Sequence, residues 1–158
     1  MVMGHPKKLR KKYKRPQRPF DNLEEEKKLL KEYGLKKKRE LWRAETELKK
    51  IRRRAMNLLA KKDLKEETTL IEKLRKMGLN VNNLDDVLKL TVRDLLERRL
   101  QTIVFRKGMS KTIKHARQLI VHGKVKINGR KVSFPSFIVP KEYEDKIVVT
   151  TNEVEKNA

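Results

Sequence analysis

The sequence predicts an α+β protein, in which a helical N-terminal region is followed by a small domain with two helices packed on a short, mainly antiparallel sheet. Up to about residue 122, apolar residues recur at the three- and four-residue intervals of amphipathic helices. After Gly123 the period changes to two, and an Asn-Gly pair separates two short strand-like runs. A length of 158 residues allows one domain or two small ones.

A basic arm and three helices are predicted for the N-terminal half. Residues 1–20 hold eight Lys or Arg residues, three prolines and no acid, so we expect an extended arm. Asp21 can cap a first helix, which Gly34 ends. The second helix covers about residues 38–60, and the third covers residues 64–77. One apolar stripe marks the expected buried face of the second helix: Leu41, Ala44, Leu48, Ile51, Ala55, Leu58 and Leu59.

Capping residues predict where the remaining helices begin. Asn82 or Asn83 can cap a short helical turn. Thr91, followed three residues later by an aspartate, is predicted to cap a helix that runs to about residue 105. Ser110 is predicted to begin the last helix, which runs to about residue 121 and ends at Gly123.

A β-hairpin is predicted directly after this last helix. Its turn is the Asn-Gly pair at residues 128–129, the preferred pair for a type I′ turn. A two-residue loop pairs Val125 with Val132 and Lys126 with Lys131, and the valines would face the core.

Two further strands are predicted in the small domain, a weak one at residues 137–139 and a clearer one at residues 147–149. The expected organisation has four parts: a basic arm at 1–20, a helical region at 21–94, the small domain at 95–150 and a tail at 151–158.

Composition and charge exclude several classes of protein. The chain carries 43 Lys and Arg against 21 Asp and Glu, a formal net charge of +22. No stretch approaches the roughly 20 apolar residues that a membrane-spanning helix needs, and no apolar run follows the basic N-terminus as in a secretory signal. With zero cysteines there is no disulfide framework and no thiolate zinc site, and a reducing compartment fits.

The positive charge is concentrated in three blocks that contain few or no acids. The first is the arm; the second, residues 36–62, holds twelve bases and three acids; the third, residues 98–131, holds eleven bases and no acid. A single charge run is usually a solvated face. Three separate blocks in one short chain favour contacts with a polyanion, nucleic acid first and an anionic membrane surface second.

The third block predicts a basic row on the last helix. Lys111, Lys114, Gln118 and His122 are spaced three, four and four apart, so they share the face opposite the apolar residues. Arg117 falls at the border between the two faces. No acid relieves this row, which is typical of a surface that meets phosphates.

The hairpin adds a second group of bases. Lys126 and Lys131 are predicted to lie directly opposite each other, which destabilises a sheet standing alone. A phosphate bound between the two lysines would remove their repulsion, and Lys124 and Arg130 would extend the edge of this phosphate-binding group. Asn128 has an alternative explanation, because the turn needs a residue that tolerates positive φ.

Candidates for catalysis or metal binding are weak. His5 lies in the arm, and His115 and His122 have no neighbouring carboxylate or thiol to orient them. Residues 108–112 lack the glycine spacing and preceding strand of a phosphate loop. The adjacent aspartates at residues 85–86 point in different directions, so a helix cap is the better explanation for them. We expect no enzyme activity, no metal and no cofactor.

Several motifs resemble a known RNA-binding domain. Residues 97–104 (Glu-Arg-Arg-Leu-Gln-Thr-Ile-Val) resemble the start of the domain named after ribosomal protein S-four. Residues 116–123 (Ala-Arg-Gln-Leu-Ile-Val-His-Gly) resemble its continuation, as do Val125, Ile127-Asn128-Gly129, Val132 and Pro135-Ser136. Upstream, Gly4, Pro6-Lys7, Arg10-Lys11-Lys12-Tyr13, Glu40-Leu41-Trp42 and Arg52-Arg53-Arg54-Ala55 resemble the archaeal and eukaryotic branch of that ribosomal protein family.

The resemblance implies a specific role. Members of this family bind small-subunit ribosomal RNA directly and early, nucleate assembly of the subunit body, and influence translational accuracy with the neighbouring proteins S-five and S-twelve. It implies a location in the small ribosomal subunit of the cytoplasm, with no membrane and no small-molecule substrate. The zinc that some bacterial members hold with four cysteines is not expected, because this chain has none.

The candidate RNA-binding residues, taken from the basic blocks and the resemblance together, are Arg52, Arg53, Arg54, Arg98, Arg99, Arg106, Lys107, Ser110, Lys111, Lys114, Arg117, Gln118, His122, Lys124, Lys126, Asn128, Arg130 and Lys131.

Three alternatives remain open from the sequence. A nucleolar-type ribosome-assembly factor with the same RNA-binding domain would also bind RNA without catalysis. Tyrosyl-tRNA synthetases and pseudouridine synthases carry the domain too, but residues 1–90 are too short and too helical for a catalytic domain. A polybasic membrane-surface protein would need a bulky apolar helix face left free for lipid, whereas the apolar stripes here are expected to pack.

Overall fold

The structure is a computed structural model, and it describes residues 12–17 and 22–150. Most of the predicted arm, the Asp21 cap and the predicted tail after residue 150 therefore lie outside the described residues, and residues 12–17 contain neither helix nor strand. The helices of the described part are α1 (Leu23–Glu32), α2 (Lys38–Lys61), α3 (Leu64–Lys76), α4 (Leu84–Lys89), α5 (Val92–Glu97), α6 (Leu100–Arg106) and α7 (Ile113–Val121). The strands are β1 (Val125–Ile127), β2 (Arg130–Lys131) and β3 (Ile147–Val149), and a 3₁₀ segment (Lys141–Lys146) precedes β3.

The long helix α2 is the backbone of the helical region. Its 24 residues bury Leu41, Leu48, Ala55 and Leu58, as the stripe predicted. Leu59 is 41% exposed, so its assignment to the buried face was wrong; it lies roughly 100° around the axis from Leu58 and faces away from the core.

Helices α3, α4 and α5 complete the helical core with α2. The Asp63 side chain caps α3 by accepting hydrogen bonds from two backbone N–H groups. Capping boxes begin α4 at Asn83 and α5 at Thr91, which settles the choice between the two asparagines and confirms the predicted threonine cap. The residues buried together are Leu48, Ala55, Leu58, Leu70, Leu74, Leu79, Val81, Leu84, Val87, Leu90 and Leu95.

The single helix predicted for residues 91–105 was wrong, because the chain breaks it between α5 and α6. The Leu100 N–H donates to the Phe137 carbonyl oxygen at 2.7 Å, and Arg98 accepts from the Val139 N–H at 3.0 Å. Arg99 forms an isolated antiparallel bridge with Ile138. The run at 137–139 therefore pairs with this break instead of forming the weak strand predicted in the sheet.

The last helix begins later than predicted. Thr112, not Ser110, is its N-cap, and its hydroxyl accepts from the His115 N–H at 3.1 Å. Ser110 is buried and donates to the Thr112 carbonyl oxygen. Because α7 starts at residue 113, Lys111 precedes the helix and the predicted helical spacing does not apply to it.

The three strands form one antiparallel sheet in the order β2-β1-β3. The predicted hairpin register is confirmed: Lys126 lies opposite Lys131, and Val132 N–H donates to the Val125 carbonyl oxygen at 3.1 Å. Asn128 has φ 49° and the glycine after it φ 78°, as a type I′ turn requires. The predicted α+β class is thereby confirmed.

Helices α6 and α7 pack on one face of this sheet. The second core consists of Leu100, Ile103, Val104, Ala116, Leu119, Ile120, Val125, Ile127, Val139 and Ile147. A third, smaller cluster of Tyr33, Leu35, Leu41 and Leu96 joins α1, α2 and α5. The helical clusters extend to Leu96, and the cluster of the small domain begins at Leu100.

Candidate nucleic-acid interface

Three lysines project from the exposed face of the sheet. Lys126 and Lys131 are cross-strand partners, so their side chains share a face. Lys124 continues the ladder, since its carbonyl oxygen accepts from the Thr150 N–H at 2.7 Å, and by alternation its side chain lies on the same face. None of the three forms an ion pair with an acid among the described residues.

Arg130 behaves differently from these lysines. It pairs with Ile127, whose side chain is buried in the core. By the alternation of a strand, Arg130 therefore leaves the opposite face of the sheet, at the exposed end of the hairpin. It therefore does not point in the direction of Lys126.

The polar face of α7 meets the lysines of the sheet. Lys114, Gln118 and His122 lie four residues apart, and all three are exposed. Gln118 and His122 line an open cleft of about 210 Å³ together with Lys124. A Cβ atom built on Gly123 would lie 3.0 Å from Cδ of Lys131, so the stem of that lysine lies across the end of α7. Lys124 and the stem of Lys131 thus lie beside the C-terminal end of the helix row.

Two of the predicted RNA-binding arginines instead surround Glu40 of α2. Arg99 Nη2 donates to Glu40 Oε2 at 2.7 Å, and Arg117 Nη2 donates to Glu40 Oε1 at 2.9 Å. The Arg99 side chain is 7% exposed. The basic run of the sequence gave no sign of this burial or of the ion pairs with Glu40.

This cluster shifts the acidity of its members. Burial raises the pKa of Glu40, but the hydrogen bonds from Arg117 and Arg99 outweigh it and leave the pKa below its usual value. Burial lowers the pKa of the Arg99 guanidinium, against the opposing pull of Glu40. The carboxylate is therefore held ionised between two cations, which ties α2 to α6 and α7.

Arg98 forms a second tie between the helical region and the small domain. Its guanidinium donates to the carbonyl oxygens of Met77 and Val139, at 3.1 and 3.0 Å, and to Glu144 Oε2 at 2.9 Å. A Cβ atom built on Gly78 would lie 2.4 Å from its Cζ atom, so the loop after α3 closes directly over the guanidinium. The side chain is 14% exposed, which gives it a structural role.

The remaining candidates divide into paired and unpaired side chains. Arg106 binds Glu97 at 2.8 Å and Lys107 binds Asp145 at 2.9 Å, both at exposed positions. Arg52 donates to the Leu90 carbonyl oxygen. The basic candidates that have no acidic partner among the described residues are the half-buried Lys124 and the exposed Arg53, Arg54, Lys111, Lys114, Lys126, Arg130 and Lys131.

Sequence reasoning missed two residues that hold the interface in place. One is Glu40, described above. The other is Gln101, which is fully buried and whose amide nitrogen donates to the carbonyl oxygens of Gly34 (3.0 Å) and Ile113 (3.1 Å). An amide inside the apolar periodicity of a helix was the available signal, because a buried amide requires partners.

The described part of the chain offers little for other kinds of site. It contains no group of three or more histidine or acidic side chains arranged to hold a metal ion. Within the same residues, no helix has the length and apolar character needed to cross a bilayer.

Comparisons with known proteins agree with the geometry. A family model described as "S4 domain" matches residues 98–145, which include α6, α7, β1 and β2 and end just before β3. The small ribosomal subunit protein uS4 of Ignicoccus hospitalis is 51% identical over 152 residues, covering 92% of this chain and 92% of that protein. Its namesake from Nanoarchaeum equitans is 52% identical over 147 residues, covering 87% of this chain and 82% of that protein. Both relatives are archaeal, and the chain belongs to the uS4 family.

Proposed function

We propose that this chain is a structural protein of the small ribosomal subunit that binds small-subunit ribosomal RNA directly through its small domain. The observation that carries the proposal is the group of bases on α7 and the hairpin that have no acidic partner among the described residues, next to the cleft that Gln118, His122 and Lys124 line. The role is structural and not catalytic. The relatives are named as proteins of the small ribosomal subunit, which supports the ribosome, and hence the cytoplasm, as the site of action.

The chemistry of the surface suits the RNA backbone. Lysine ammonium groups act as mobile point charges toward phosphates, and the lysines on the exposed face of the sheet pair with no acid within residues 12–17 and 22–150. Lys126 and Lys131 repel each other in the free protein, and a phosphate placed between them removes that cost. Such contacts set affinity and register, whereas specificity for structured RNA comes from its shape.

The residues proposed to contact RNA are fewer than the candidates predicted from the sequence. The unpaired bases on α7, its preceding loop and the hairpin make the main contact, with Gln118 and His122 donating hydrogen bonds beside them. Arg53 and Arg54, exposed on α2, supply a second patch. Arg98, Arg99 and Arg117 hold the frame on which the surface is built.

Finer aspects of the role come from the family resemblance. We propose that the chain binds early and nucleates assembly of the subunit body, that its neighbours include protein S-five, and that it contributes to translational accuracy. The assembly-factor alternative is not favoured, because the relatives are named as constituents of the subunit. Fractionation tests it directly: mature small subunits retain a constituent and lose an assembly factor.

A salt series with a small-subunit ribosomal RNA fragment tests the binding surface. If six to ten phosphates are neutralised, affinity falls by roughly 10³–10⁵ between 50 and 200 mM salt, by analogy with duplex DNA. The double variant Lys126→Ser/Lys131→Ser lowers affinity and reduces the salt slope by about one unit for each lost contact. The matched control is Lys27→Ser/Lys28→Ser, which removes two exposed lysines from α1. Equal losses in both double variants, or a flat salt response, contradict the proposal.

A further inference from the structure

A second basic surface lies on the other side of α2, away from the small domain. An open cleft of about 700 Å³ is lined by Tyr13, Arg15, Lys37, Lys38, Arg39 and Trp42. Trp42 comes two residues after Glu40, which places it roughly 200° around the helix from the carboxylate that binds Arg99 and Arg117. The cleft is therefore separate from the surface formed by α7 and the hairpin.

An aromatic wall forms one side of this cleft. The rings of Tyr13 and Trp42 have centroids 6.0 Å apart and are tilted by 36°. The described part of the arm is held there by a backbone hydrogen bond, in which the Lys14 N–H donates to Thr46 Oγ1 at 3.1 Å. Both rings remain partly exposed, so a planar group can reach them from the cleft.

A buried carboxylate fixes the tryptophan before any ligand arrives. The Trp42 indole N–H donates to Glu26 Oε1 at 3.1 Å, and Lys38 Nζ lies 2.8 Å from Glu26 Oε2. Burial raises the pKa of Glu26, but hydrogen bonds from Lys38 and Trp42 prevail and lower it below its usual value. The carboxylate is thus ionised and neutralised by Lys38, and it holds the ring without presenting free negative charge to the cleft.

Three of the four cations that line the cleft have no acidic partner among the described residues. Arg15, Lys37 and Arg39 are exposed, and none of them pairs with an acid within residues 12–17 and 22–150. Aromatic faces combined with unpaired cations are the means by which proteins bind single-stranded nucleic acid, through base stacking and phosphate contacts. A duplex keeps its bases stacked inside and offers only phosphates to such a site.

We propose that this cleft binds an unpaired nucleotide of RNA, with its base stacked on the wall of Tyr13 and Trp42 and its phosphates on Arg15, Lys37 and Arg39. The inference rests on the proposed function for the identity of the nucleic acid, but it assigns a separate site with a different ligand, a single-stranded segment. The two surfaces would then hold structured and unpaired RNA on opposite sides of α2.

Intrinsic fluorescence tests this site alone, because Trp42 is the single tryptophan of the chain. Titration of the full chain with a short oligouridylate quenches the fluorescence, whereas a short RNA duplex at equal phosphate concentration leaves it nearly unchanged. In the variant Tyr13→Leu, Trp42 still reports binding through its fluorescence. The affinity for oligouridylate falls by roughly 5- to 150-fold, the range expected for the loss of one aromatic stacking partner.

Two double variants separate this site from the other surface. Lys37→Gln/Arg39→Gln weakens oligouridylate quenching, while Lys49→Gln/Lys50→Gln, two exposed lysines further along α2, leaves it nearly unchanged. Lys126→Ser/Lys131→Ser also leaves the quenching by oligouridylate unchanged, although this double variant weakens binding of the ribosomal RNA fragment. Absence of quenching, or equal quenching by the duplex, overturns the nucleotide site and leaves the proposed function standing. A flat salt response with the ribosomal RNA fragment, together with quenching by oligouridylate, overturns the proposed function and leaves the nucleotide site standing.

Discussion

Removing the charge of Glu40 is expected to destabilise the chain strongly, since that carboxylate joins three helices. The Glu40→Gln variant leaves two guanidinium groups without their counter-ion, one on a side chain that is 7% exposed and one on a side chain that is 25% exposed. Breaking a buried ion pair from one side costs about 3–5 kcal/mol. We expect the lower end of that range, because water still reaches Arg117.

Urea unfolding followed by circular dichroism measures this loss. With a slope of roughly 2 kcal/mol per molar urea, the unfolding midpoint falls by about 1.5–2 M relative to the unmodified chain. Glu47→Gln is the matched control, since Glu47 is an exposed carboxylate on the same helix with no ion pair among the described residues. Equal midpoints for the two variants would refute the conclusion that the Glu40 cluster holds the two regions together.

The same cluster predicts a dependence of stability on pH. Hydrogen bonds from Arg117 and Arg99 leave the folded-state pKa of Glu40 below its unfolded value, despite the opposing effect of burial. A group with a depressed folded pKa stabilises the fold above the unfolded pKa, about 4.3 for glutamate, and loses that contribution as the pH falls through the folded pKa. Midpoints measured between pH 3 and 7 should therefore converge for the unmodified chain and Glu40→Gln at the acid end.

Three further variants test the packing of the small domain and its contact with the helical region. Leu119→Ala removes a side chain that is 6% exposed between α7 and the sheet, and should cost about 2–5 kcal/mol of unfolding free energy in urea. Lys126→Ser/Lys131→Ser should leave the unfolding midpoint unchanged or slightly raised, because it relieves a like-charge pair; a clear fall would make those lysines structural. Gly78→Ala should lower the thermal midpoint, since the residue has φ +82° and its new Cβ would meet the Arg98 guanidinium at 2.4 Å; an unchanged midpoint would mean that the guanidinium moves aside freely.

Local signals predicted most of the fold correctly. The Asn-Gly turn set the hairpin register, and the capping residues Asn83 and Thr91 placed two helix starts. These features depend on a few neighbouring residues, whose backbone preferences act over short distances. The single helix predicted for residues 91–105 was wrong because the break at Arg98 and Arg99 is caused by hydrogen bonds with residues 137–139, about forty positions away. No local propensity records such a contact.

The basic surface was predictable in outline but not residue by residue. Charge counting located the acid-free block from residue 98 to 131, and helical spacing joined Lys114, Gln118 and His122. Neither method could separate basic side chains that face solvent from basic side chains that bind the protein itself. That distinction depends on Glu40 and Glu144, which are 59 and 46 positions away from the arginines they bind.

Arginine and lysine residues differ in this respect, although both carry the same charge. The described arginines between residues 98 and 117 all bind protein acceptors, as does Lys107. The bases without an acidic partner among the described residues, in the loop before α7, on α7 and on the hairpin, are lysines, apart from Arg130. The planar fork of a guanidinium binds carboxylates and carbonyl oxygens in fixed directions, so it suits ties between regions. A lysine ammonium is strongly hydrated and its flexible stem adapts to a phosphate whose position the protein does not set. Within residues 98–131, the arginines up to Arg117 therefore bind the protein itself, whereas the lysines of α7 and the hairpin have no acidic partner among the described residues and are the proposed RNA contacts.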